Sequence, residues 1–166
     1  MPIPDDLLKI AEQESALRFP RFDHDQAWQL GTRLRNLAVA RNHAVVIDVR
    51  RFGQQLFFCA LAGTTPDNTE WVRRKTNTVA RFLRSSYAVG LALEHKQTNI
   101  TAKYALPSED YVTHGGSFPI AVNGAGVIGV VTVSGLEQRA DHELVIEALC
   151  AELGKDYAAH KLPAAD

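Results

Sequence analysis

Three groups of residues in this chain carry side chains that could do chemistry. The first is His114, which opens the glycine-rich stretch HGGSFPIAVNGAGVIGVVTVSGL over residues 114–136. An imidazole at a glycine turn can contact a small ligand, its metal or its carboxylate, as either the neutral ring or the imidazolium. It can equally be a turn residue hydrogen-bonded to backbone. The second group is a helical stripe of Arg73, Arg74, Asn77, Arg81 and Arg84 with Lys75 at its flank. Forked guanidinium groups hold carboxylates or phosphates, and the same stripe can serve as a solvated or intersubunit face. No aromatic side chains interleave with these bases, which argues against single-stranded nucleic acid. The third group is Asp141-His142-Glu143. Adjacent helical residues point in different directions, so the three cannot converge on one ion. Asp141 is expected to cap a helix, and the acids to compensate its dipole.

Two sharper motif readings fail on context. Gly124-Ala125-Gly126-Val127-Ile128-Gly129 fits the spacing of a dinucleotide loop, which requires a helix after the last glycine. Here β-branched VIGVVTV follows, and Asn123-Gly124 is a two-residue hairpin signal, so the stretch reads as strand, turn, strand. His114-Gly115-Gly116 fits a loop that supplies an oxyanion hole in many esterases, but that chemistry needs an activated serine on a GxSxG elbow. Ser117 and Ser134 lie beside glycines without forming that elbow. The six histidines include no HExxH and no ligand-spaced pair with a third nearby, so no zinc site is expected.

The elements that must position these groups follow from the patterning. A length of 166 residues with 46% hydrophobic and 22% charged content suits one soluble domain. A net charge of −1 predicts neither a nucleic-acid footprint nor an acidic tail, and local patches can still exist. The start, MPIPDDLLKIAEQE, lacks the basic and apolar regions of an export signal, and no apolar run of bilayer length occurs, so a cytoplasmic location and no membrane partner are expected. Cys59 and Cys150, both in apolar settings, are expected as buried reduced thiols.

A helix is expected from Pro4 to about Glu14, then a short edge strand within Leu17–Phe22. A longer helix, capped by Asp23 or Asp25, should run to about Asn42 with Ala27, Leu30, Leu34, Leu37 and Ala38 as its apolar stripe. HAVVIDVRRF and QQLFFCALAG form a hairpin about Gly53. A helix from Glu70 to Arg84 directs Trp71, Val79, Phe82 and Leu83 to the core. Ser85-Ser86 breaks it before a helix over Tyr87–His95. The polar connection from Lys96 to His114 is long enough to be functional, a lid, or the cover for an unrecognised element. A last helix runs from Asp141 to about Leu153, stopped by Gly154, and residues 155–166 are expected to fray. This order argues for a single α+β domain over 1–166, with an N-terminal helix over 1–15, a largely antiparallel sheet and flanking helices.

HGGSFPI, VIGVVTVSGL, DHELV and WVRRKTNTVARFLRSS together resemble the haem-degrading domain family typified by HbpS and GlcG, and more closely its cytosolic bacterial and fungal branch, over most of residues 17–154. The resemblance implies a profilin- or PAS-like sheet, symmetric homo-oligomers and, in some members, haem or iron as ligand. Carried over by motif, the positions of interest are His114, Gly115, Gly116, Pro119, Gly129, Ser134, Gly135 and Asp141, with Arg74, Lys75 and Arg81 on the helix. The expected ligand site is therefore His114, Gly115, Gly116, Ser117, Arg74, Lys75, Arg81 and Asp141, taking a small anionic ligand for which haem is one candidate. Any catalysis would then be oxidative haem breakdown. The alternative is a non-enzymatic assembly or adaptor protein that uses the arginine helix and a sheet edge as contact surfaces.

Overall fold

Asn123, Gly124 and Ala125 reverse the chain between β4 (Ser117–Val122) and β5 (Gly126–Ser134), with Gly124 at φ +78° and Gly126 at φ +83°. Both values lie in the left-handed region that glycine enters without steric cost, and the expected hairpin forms. A second hairpin, β2 (Val46–Arg51) and β3 (Gln54–Ala60), turns at Phe52-Gly53. β2 pairs antiparallel with β5, and β1 (Arg18–Phe19) adds in parallel to β4, giving the order β1-β4-β5-β2-β3. This computed structural model describes residues 3–165.

Period-two alternation divides the sheet into two faces. Ile47, Val49, Val131 and Val133 point to a core completed by Leu30, Leu34 and Ala38 of α2 (His24–Ala40) and by Leu144, Val145 and Ala148 of α6 (Gln138–Leu153). Asp23 caps α2 by accepting from the Asp25 and Gln26 amides while Gln26 answers the Asp23 amide, a capping box. On the opposite face α3 (Pro66–Phe82) lies against β5, joined through Thr76 Oγ1 to Thr132 Oγ1 at 3.1 Å. α4 (Ser86–His95) follows, started by the Ser85 hydroxyl, which accepts from the Ala88 amide. α1 (Ile3–Ala16) packs on α4 through Ile10, Tyr87, Ala88 and Leu91. Cys150 is buried, Cys59 partly so, and neither is in a disulfide.

Three expectations are corrected, and the alternatives left open for the connection after α4 are narrowed to an unrecognised element. α3 starts at Pro66 rather than Glu70, because Asn68 Oδ1 accepts from the Thr65 amide and proline suits the first helical position. The connection after α4 contains α5 (Ile100–Tyr104), and its remainder straps α3: Arg73 pairs with Asp110, Asn77 donates to the Asp110 carbonyl and Thr78 to that of Val112. α6 begins at Gln138 with Glu137 as its cap, so Asp141 is not the capping residue. The C-terminal segment docks where fraying was expected. It forms α7 (Tyr157–His160), buries Leu162 against α1 and α4, and gives carbonyls to Gln13 and Arg139. Its backbone polar groups are satisfied by side chains far away in sequence, and that is what holds it.

Candidate functional site

Lys75 is the one buried lysine among the described residues, 2% exposed, on the side of α3 that faces β5. Its Nζ donates to Asp141 Oδ2 at 3.0 Å and to the Val133 carbonyl at 3.2 Å. The Asp141 carboxylate also accepts from the amides of Leu136 (2.9 Å) and Gly135 (3.3 Å). One carboxylate thereby closes the β5–α6 turn and ties α3 to it. Burial lowers the Lys75 pKa despite Asp141, and burial raises that of Asp141 despite Lys75 and the two amides. Both shifts favour the neutral forms, the effect of desolvating a charge pair.

Gly116 makes the pair possible. At φ +125° it occupies left-handed space, and a Cβ there would lie 2.3 Å from the Val133 carbonyl oxygen and 2.9 Å from Lys75 Nζ. Gly115 presses on the first turn of α6, where a Cβ would come 2.4 Å from the Gln138 carbonyl oxygen, and its amide donates to Gln138 Oε1 at 3.2 Å. These contacts carry the chain past α6 and set His114 at the mouth of a cavity of about 210 Å³ that is floored by Lys75 and Asp141 and walled by Asn68, Trp71, Ser134 and Gln138. The His114 ring stands edge-on to Trp71, centroids 5.0 Å apart, while the Arg74 guanidinium lies 4.5 Å from the centre of the Trp71 ring. Partial burial first, and then the charges of Lys75 and Arg74, lower the His114 pKa.

The hydrogen-bond capacity of the wall is one-sided. Asn68 Oδ1 is taken by the Thr65 amide and Gln138 Oε1 by the Gly115 amide, and both Asp141 oxygens are engaged. The Asn68 and Gln138 amide N–H groups and the indole N–H of Trp71, all on residues that line the cavity, are donors with no hydrogen-bond partner among the described residues. The Ser134 hydroxyl and the His114 ring can donate as well.

Of the expected site residues, the structure brings His114, Lys75 and Asp141 to one cavity, sets Gly115 and Gly116 directly behind it and Arg74 at its rim. It does not bring Ser117 or Arg81 there. Ser117 is fully buried, its hydroxyl 2.7 Å from Thr132 Oγ1 and its amide on the Ser86 hydroxyl. Arg81 is exposed near the end of α3. The arginine stripe is also divided, since Arg73 pins the Asp110 segment and Arg84 pairs with Glu14 of α1. Asp141, His142 and Glu143 diverge: His142 turns inward to Gln13 at 2.8 Å and Glu143 accepts from the Tyr157 hydroxyl. Asn68 and Gln138 have no local signal of a site role. Trp71, expected in the core, is only partly buried.

Residues 22–150 match the family described as haem degrading protein HbpS-like. The chain belongs to that family. A UPF0303 protein of Acidobacterium capsulatum is 62% identical over 165 residues, which span 99% of this chain and 100% of that protein. Among solved structures, the Ybr137w protein superposes with a TM-score of 0.83 at 28% identity, covering 89% of this chain and 87% of that one. A PduOC:Heme complex has the same HbpS-like fold, with a TM-score of 0.68 at 16% identity over 78% of this chain and 94% of that one. No helix among the described residues of this HbpS-like chain is long and apolar enough to cross a membrane.

Proposed function

We propose that this HbpS-like protein binds a small anionic ligand in the cavity between α3 and the β5–α6 turn. The observation that carries the reading is the lining: Asn68, Gln138 and Asp141 already accept from the Thr65, Gly115, Gly135 and Leu136 amides, and the side-chain amide N–H groups of Asn68 and Gln138 lie on the same cavity as the buried Lys75 Nζ. A carboxylate or phosphate accepts from such an arrangement without leaving an unpaired polar group. Isothermal titration with small carboxylates and inorganic phosphate tests it. Saturable binding that Gln138→Leu weakens is the expected result, and no heat with any of these anions overturns the reading.

Haem is the second reading, favoured by membership of a haem-degrading family and by the exposed His114 imidazole beside Arg74. The cavity, at about 210 Å³, lies below the roughly 300 Å³ at which sites for larger ligands begin. A porphyrin therefore does not fit inside it, whereas a propionate arm does. In this reading Lys75 and Arg74 hold the propionate charge and His114 is the residue able to ligate iron. The bound haem would supply oxidation chemistry, and the protein position and charge. A Soret shift in the wild type that is lost in His114→Ala is expected, and no shift in the wild type overturns it.

We also infer self-association through the free edge of β3, beside which Phe52 is 82% and Trp28 64% exposed. Unpaired edges and exposed aromatic groups are surfaces that soluble proteins usually cover. Sedimentation of Phe58→Glu should give a smaller species than the wild type, and Arg81→Glu tests whether the helix contributes. A monomeric wild type refutes self-association.

A further inference from the structure

Lys75 is buried at the floor of the cavity, whereas a lysine ammonium is ordinarily a strongly hydrated charge on a flexible stem. Its Nζ is held at two points, by Asp141 and by the Val133 carbonyl. Nitrogen is tetrahedral, so two N–H bonds directed at these acceptors leave one further direction for a proton or, in the neutral amine, for the lone pair. Gly116 lies on one side, where its missing Cβ would otherwise stand 2.9 Å from Nζ, and Lys75 lines the cavity. Burial also weakens the hold of this amine on its proton, the condition that makes a lysine nucleophilic.

We propose that Lys75 is a carbonyl-reactive amine and that the cavity takes small 2-oxo acids, which it joins as a Schiff base. The inference rests on the anion-binding reading, because the same donor wall that accepts a carboxylate would hold the acid group while the adjacent carbonyl meets Nζ. The size fits. A cavity of about 210 Å³, below the roughly 300 Å³ at which sites for larger ligands begin, suits a compact three-carbon acid.

The step balances without an oxidant or reductant. The neutral amine adds its lone pair to the carbonyl carbon, and the C–O π pair moves to oxygen, which takes a proton. The carbinolamine so formed expels that oxygen as water while nitrogen forms the C=N bond, and the two amine hydrogens leave with the oxygen. Asp141, 3.0 Å from Nζ and with its own proton affinity raised by burial, is placed to carry the proton between nitrogen and oxygen.

The test incubates the full chain with pyruvate and sodium cyanoborohydride and maps the reduced adduct by peptide mass spectrometry. Lactate, which has the same carboxylate and no carbonyl, is the control. The expected result is a single adduct at Lys75 with pyruvate and none with lactate. Lys75→Arg should abolish it, and Asp141→Asn should slow it by tenfold or more. No adduct at Lys75, or labelling spread evenly over the exposed lysines 96, 103, 155 and 161, overturns the inference. Mapping on the wild type gives the answer even if the variants fail to fold. Titration of both acids in parallel separates the two ideas. If lactate and pyruvate bind but no adduct forms, only the Schiff base falls. If neither binds, the anion site falls with it.

Discussion

Asp141→Asn removes the charge that faces a lysine 2% exposed to solvent while keeping the side-chain shape and one oxygen for the Leu136 amide. Breaking a buried ion pair from one side typically costs about 3–5 kcal/mol. The ceiling can be worked separately. Lys75 can escape by folding as the neutral amine, and deprotonating a lysine of ordinary pKa near 10.4 costs about 4–5 kcal/mol at pH 7, but only about 2 kcal/mol at pH 9. The penalty must therefore shrink as pH rises. The sign agrees with linkage: burial depresses the folded pKa of Lys75, so between that value and about 10.4 the unfolded chain binds the extra proton and stability increases with pH. Urea unfolding followed by fluorescence of Trp28 and Trp71 at pH 7 and pH 9 measures it. The expected loss is about 3–4 kcal/mol at pH 7 and about half that at pH 9. Adding Lys75→Met should recover part of the loss, because neither charge is then left alone. A loss below about 1 kcal/mol at pH 7, or one independent of pH, would refute a desolvated pair.

Three more outcomes are expected. His142, wholly buried with a pKa pushed down to about 3, stays neutral in the fold while the unfolded imidazole protonates below about 6.5. Its contribution is present above that value and is lost as pH falls toward 3, at up to about 1.4 kcal/mol per pH unit, and in His142→Gln the acid limb of a stability–pH curve should be flatter by about one proton. Leu162→Ala should cost about 2–4 kcal/mol in urea unfolding, since Leu162 packs with Ile10 and Tyr87, whereas a frayed tail would cost nothing. Gly116→Ala should lose both stability and anion binding by calorimetry, because its Cβ meets the Val133 carbonyl at 2.3 Å and Lys75 Nζ at 2.9 Å. Unchanged binding in a folded variant would show that the glycine does not position the lysine.

The α+β class, the two hairpins and the five longer helices were legible in the chain because each rests on near neighbours: Asn123-Gly124 for a turn, an apolar stripe for α2, Asp23 for its cap. His114, its two glycines and the basic residues of α3 were also visible as chemistry-bearing types. Which of them share a site was not. Lys75 and Arg81 lie on the same helix, yet only Lys75 meets Asp141, 66 positions away, and that meeting depends on α3 crossing β5 where the Val133 carbonyl is free to accept. Ser117 beside the glycines looks like a site residue until the sheet register places it against Thr132 inside the fold. Gln138 and Asn68 acquire their outward donors only because the amides of Gly115 and Thr65 occupy their oxygens, and the C-terminal segment is held by Gln13, Arg139 and Glu143. Propensity and periodicity describe what a segment prefers within a few residues of itself. The burial that turns a lysine and an aspartate into a desolvated pair exists only once the sheet has brought distant segments together.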